Sequence, residues 1–134
     1  MDGWFVSLMA LCMWREARGE GLDGMAAVGL VMQNRVRVWG QSWGKVIVGK
    51  NQFSSMTVPG DSQLVVWPTD EPLFKQAYMK AWDIYKGECP DITHGALYYA
   101  YLPNVTSGWF LREIVGKPAV HPVLAQVGRH TFYA

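Results

Sequence analysis

Glu16 stands where the residues around it call for hydrocarbon. Phe5, Leu8, Met9 and Cys12 fall at i, i+3, i+4 and i+7, the apolar stripe of an amphipathic helix, and Glu16 is the next position on that stripe. Gly19 and Gly21 then end the helix, so the carboxyl sits in its last turn. Loss of surrounding water and the negative end of the helix dipole both favour its protonated form. Arg15 and Arg18 oppose this, but as i−1 and i+2 neighbours they do not share Glu16's face. A side chain so placed suits a general acid, which must hold a proton until a leaving group needs it.

General-acid cleavage of a bond often takes a second group, a carboxylate or an activated water on the far side of the reacting centre. Glu20 is the nearest candidate for a second carboxylate. Its position beyond Gly19, just before another helix, also suits a structural task, accepting backbone N–H groups at a positive helix end. Asp23 reads as an N-cap, while Asp61 and Asp70 lie in or beside a loop and are open candidates. His94, His121 and His130 do not have metal-site spacing, and neither a phosphate-binding glycine loop nor a Ser or Cys nucleophile in register with a His is present. No metal or other cofactor is expected.

The elements that must hold these groups follow from periodicity. A first helix is predicted from about Gly3 to Arg18, and a second from just after Asp23 to about Val38, apolar on nearly all sides and therefore central. Gly40 to Gly44 reads as a loop, Val46-Ile47-Val48 as a short buried element of undefined type, and Asn51 to Trp67 as a long loop of the kind that usually carries function. Pro72 opens a third helix that Gly87 ends. Leu97 to Leu102 reads as extended, so that only one of Tyr98 and Tyr99 faces the core, and Val127 to Tyr133 forms a last extended piece. The chain reads as one α+β domain, mainly helical, over residues 1–134. With 12 basic and 11 acidic residues it has no field to hold nucleic acid by charge. Seven Trp and six Tyr exceed what a core of this size requires, which leaves some free to line a cleft. Cys12 fits the buried stripe as a free thiol, and its pairing with Cys89 stays open.

Glu16-Ala17-Arg18-Gly19-Glu20-Gly21, Asp23-Gly24-Met25-Ala26-Ala27-Val28 and Gln33-Asn34-Arg35-Val36 together resemble the core motif of the SleB-type cell wall hydrolases. The resemblance continues through Gln52-Phe53-Ser54, Gly95-Ala96-Leu97-Tyr98-Tyr99 and the closing Gly128-Arg129-His130-Thr131-Phe132-Tyr133. It implies a lysozyme-like arrangement with the catalytic Glu, here Glu16, at the end of the first helix. It also implies cleavage of peptidoglycan between N-acetylmuramic acid and N-acetylglucosamine, by a lytic transglycosylase with one catalytic Glu. Gln52, Phe53, Ser54, Tyr99, Trp109 and His130 are the expected substrate-binding residues. Ala100 departs from the His or Asn of many relatives. A hydrolytic muramidase using a second carboxylate, and a non-enzymatic peptidoglycan-binding module, remain alternatives. The N-terminal residues form neither a signal peptide nor a membrane span. A monomeric phage endolysin, made in the host cytoplasm and dependent on a separate holin to reach the murein, is therefore the expected setting.

Overall fold

The computed structural model describes residues 2–49, 53, 56 and 67–134. Helix α1 spans Asp2–Ala17, a 3-10 turn Arg18–Glu20 follows, and α2 spans Gly21–Trp39. The short α3 (Trp43–Val48) and then α4 (Pro72–Tyr85) complete the helical layer. Strand β1 (Tyr98–Ala100), a 3-10 turn Leu102–Asn104, a short α5 (Gly108–Phe110) running on as a π-type helix Leu111–Val115, β2 (Val123–Val127) and β3 (His130–Tyr133) form the rest. The domain is thus mainly helical with a small sheet. The antiparallel sheet has the order β1-β3-β2, with Tyr99 opposite Phe132 and Val127 opposite His130.

The core gathers where α1, α2 and α4 cross. Met9 to Trp14 are all buried, a wider face than the stripe read from the sequence, because α2 and α4 both pack on α1 while Phe5 and Leu8 are only half-buried. Each fully buried Met or Leu contributes roughly 1.5–3 kcal/mol. Gly24 to Arg35 are likewise buried, which makes α2 the central helix. Gly29 marks the crossing: a Cβ there would run into the ends of Ile84 and Met13.

Three consecutive polar residues on that buried helix fasten what surrounds it. Gln33 Nε2 donates to the Ile84 carbonyl at the end of α4, and Asn34 Nδ2 to Asp91 Oδ2 (2.9 Å) and the Ala96 carbonyl (3.0 Å). Arg35 Nε donates to the Leu97 carbonyl at 2.8 Å, immediately before β1. Asp91 also accepts from the Thr93 N–H and hydroxyl and from the Gly95 N–H. Burial pushes the Asp91 carboxyl up, but the donors from Thr93, Asn34 and Gly95 outweigh it and hold it below its usual range.

Several boundaries differ from the sequence reading. The second helix begins at Gly21, so Asp23 lies exposed in its first turn rather than capping it. Trp43 and Gly44 belong to α3, which Ser42 caps by accepting the Lys45 N–H, and the undefined element at 46–48 is therefore helical. Val127 does not begin a last extended piece; it ends β2, which turns through Gly128 and Arg129 into β3. Cys12 and Cys89 are not joined in a disulfide. None of the described helices is long and apolar enough to cross a membrane.

Candidate active site

The end of α1, the C-terminal half of α2 and the inner side of β1 and β3 enclose a cleft of about 580 Å³, within the range of small-molecule sites. Glu16 reaches it from the last turn of α1 and is half-buried. Among the described residues it is the sole carboxylate of the lining, which is otherwise largely aromatic.

Tyr99 touches Glu16 directly, its hydroxyl hydrogen-bonded to the carboxylate. The ring is packed beside Phe53 (centroids 6.3 Å apart) and Phe132 (5.6 Å), with His130 edge-on at 5.5 Å. Burial first, then the charge on Glu16, holds the phenol well above its ordinary range, so it stays a proton donor to the carboxylate. The sequence made Tyr99 a substrate contact; its position makes it a group that holds Glu16 as well.

Arg35 comes into the same cleft from α2 and is only 7% exposed. Its guanidinium lies 5.1 Å from the Trp39 ring centre, 5.0 Å from that of Phe53 and 5.7 Å from that of Tyr98. Burial pulls its pKa down, and Tyr99, Tyr98, Cys12 and Glu16 push it back. Sequence reasoning passed over Arg35 although a signal was present: a cation in the middle of a helix apolar on almost every side is seldom there without a partner.

His130 lines the cleft from β3, and its Nδ1 is buried with no hydrogen-bond partner among the described residues. Burial lowers its pKa against the pull of Glu20 and Glu16, which favours the neutral ring. Trp109 stands on the rim, 54% exposed, with Phe110, Asn104 and Val105 beside it. An exposed flat ring at a cleft edge is suited to stack on an apolar sugar face. Tyr98 also lines the cleft, although Tyr99 is the one turned to Phe132 in the core; Tyr98 packs instead on Trp39 and His121. Only Tyr99 of the two faces the core, as the alternation implies, and both reach the cleft because β1 is a three-residue edge strand around which the cleft extends.

Residues 19–133 match the Cell Wall Hydrolase family. The chain belongs to that family. The match begins just beyond Glu16. A spore cortex-lytic enzyme of Oceanobacillus iheyensis is 29% identical over 129 residues, which is 95% of this chain and 40% of the relative. The chain thus spans about two-fifths of the length of that curated relative. Among solved structures, the catalytic domain of the Bacillus cereus SleB protein superposes with a TM-score of 0.71 at 26% identity, covering 97% of this chain and 89% of that one. The catalytic domain of the germination-specific lytic transglycosylase SleB from Bacillus anthracis gives the same TM-score and identity, over 97% and 93%.

Other candidates in this Cell Wall Hydrolase domain fall away from the cleft. Glu20 precedes α2 but does not cap it: its side chain accepts the Arg129 backbone N–H at 3.0 Å and Nε at 2.7 Å. Those two bonds, backbone before side chain, hold its carboxyl below the usual range. Its expected structural role thus has a different partner, the β2–β3 turn rather than the next helix. Gly128 in that turn has φ 58°, and a Cβ on it would strike the Glu20 carboxylate. Asp23 and Asp70 are exposed and do not line the cleft. Gln52, Ser54 and Asp61 lie outside the described residues, whereas Phe53 is 2% exposed and serves core and cleft together. No three His, Cys, Asp or Glu side chains among the described residues are grouped to hold a metal.

Proposed function

We propose that this domain degrades peptidoglycan by cutting the glycan strand between N-acetylmuramic acid and N-acetylglucosamine, as a lytic transglycosylase with Glu16 as both acid and base. The observation that carries the reading is the solitary carboxylate in an aromatic cleft, among the described residues. Glu16 protonates the glycosidic oxygen, and once ionised it accepts the proton of the muramoyl C6 hydroxyl as that oxygen closes on C1. The nucleophile is tethered to the reacting ring and needs no second carboxylate to activate water. Tyr99 steadies Glu16 through its hydroxyl. Trp109, Phe53 and the polar edge of His130 contact the sugars, with Gln52 and Ser54 proposed beside them. Likeness to a protein named as a lytic transglycosylase supports the same chemistry.

Mass spectrometry of digested murein without prior reduction tests this. The expected products end in 1,6-anhydro-N-acetylmuramic acid, each one water lighter than a muramidase product. Products that end in reducible muramic acid overturn the transglycosylase step and promote another carboxylate, such as Asp61, to general base. Lack of any cleavage by folded protein favours a binding module instead. The host-lysis role is proposed for a monomer that needs a holin. Cells expressing the chain should lyse only with a co-expressed pore-forming protein, and lysis without one removes that dependence.

A further inference from the structure

We propose that Arg129 forms an anion-binding subsite at the mouth of the cleft, taking a carboxylate carried by the muramoyl residue. The inference rests on the glycan-strand reading above and adds to it what the strand must bear. Arg129 sits in the β2–β3 turn, beside His130, and its side chain is 65% exposed. One edge of the guanidinium is spent, since Nε bonds to Glu20 Oε1 and the backbone N–H to Oε2. Its face lies over the Tyr101 ring, 5.2 Å from the centroid, and Tyr101 and His130 both line the cleft.

A guanidinium has five N–H donors, and Nε supplies just one of them. The ion pair with Glu20 and the contact with Tyr101 therefore fix the orientation of a group whose charged end remains accessible. Little side-chain freedom is left to lose on binding. Along a strand of alternating sugars, N-acetylglucosamine is uncharged, while N-acetylmuramic acid bears a lactyl group that ends in a carboxylate or in a peptide with its own carboxylates. A planar cation with parallel N–H groups matches that chemistry.

Calorimetric affinity in a Glu16→Gln background, where bound strands are not cut, separates this from the role of Glu16. Glu16→Gln alone and combined with Arg129→Lys or Arg129→Gln is titrated with soluble peptide-bearing strands, with amidase-treated strands that expose the lactyl carboxylate, and with uncharged chitooligosaccharides. Arg129→Gln should lower the ratio of affinities, charged over uncharged, roughly tenfold, and Arg129→Lys should lower it less. A loss on peptide-bearing strands alone assigns the peptide carboxylate, a loss on amidase-treated strands alone assigns the lactyl carboxylate, and a loss on both shows that the subsite takes either. An unchanged ratio in folded Arg129→Gln overturns the proposal. Should that variant not fold, Glu16→Gln alone decides: affinity for charged strands must fall between about 20 and 200 mM salt while that for chitooligosaccharides does not, and equal behaviour overturns the subsite.

Discussion

The last turn of α1 and the 3-10 turn that follows it each carry a glutamate, four positions apart, and the two have opposite fates. Glu16 turns into an aromatic cleft, where a tyrosine hydroxyl meets it and a buried guanidinium shares the space. Glu20 turns to the outer hairpin, where the backbone and side chain of one residue, Arg129, occupy both its oxygens. What a carboxylate can do is thus decided by its partners. Glu16 keeps a face towards the substrate space, whereas Glu20 already has its donors.

The contrast should break most sharply at Glu16→Gln. That change removes the exchangeable proton and keeps the shape, so murein cleavage should fall by roughly 10²–10⁴-fold with the melting temperature held or raised. Glu20→Gln should do the reverse, lowering the melting temperature while most of kcat survives. Equal catalytic losses at both would erase the distinction. Tyr99→Phe is the next largest effect. Losing a hydrogen bond to a charged group should cost roughly 10–100-fold in kcat with KM nearly unchanged, and a rise in KM alone would return Tyr99 to the substrate contacts.

Gly128→Ala probes the outer site from the backbone. A left-handed residue with a Cβ costs about 1–2 kcal/mol, and the Cβ also meets the Glu20 carboxylate, so thermal unfolding should begin several degrees lower. The smallest effect lies in pH. His130 is held below its ordinary value by burial, so the folded state resists its protonation. Stability should decline as pH falls from about 6.5, the unfolded value, down through the folded one, and His130→Gln should remove that part of the decline. Asp91 and Glu20, both depressed, contribute stability that is complete above about pH 4–4.5 and lost as pH falls through their folded values. Unfolding curves across this range check both windows.

Periodicity made the helical half legible. Long apolar repeats in α1, α2 and α4 leave few alternatives, and the position of Glu16 at the end of α1 follows from them. The sheet half was harder to read. β2 is preceded by Pro118 and Pro122 and exposes Val123, and its turn, Gly128-Arg129, lacks the Asn-Gly or Asp-Gly pair that marks most tight hairpins. Partners distant in sequence were the least legible of all. Nothing near Glu20 points to Arg129, and nothing near Glu16 points to Arg35 or to the Tyr99 hydroxyl. Such pairings depend on how the layers stack, which local pattern does not encode.

The link between Glu20 and Arg129 joins residues 109 positions apart. Contacts of such separation close a large loop and belong to the late steps of folding, after the nearby helices have found one another. Because the β2–β3 hairpin supplies both the anchor of that link, Arg129, and, through His130, a wall of the cleft, the cleft is completed when two segments distant in sequence meet. A ribosome-bound chain halted before Arg129 should therefore hold packed helices and a Glu16 with no finished cleft around it, so that whatever the cleft does must wait for that hairpin.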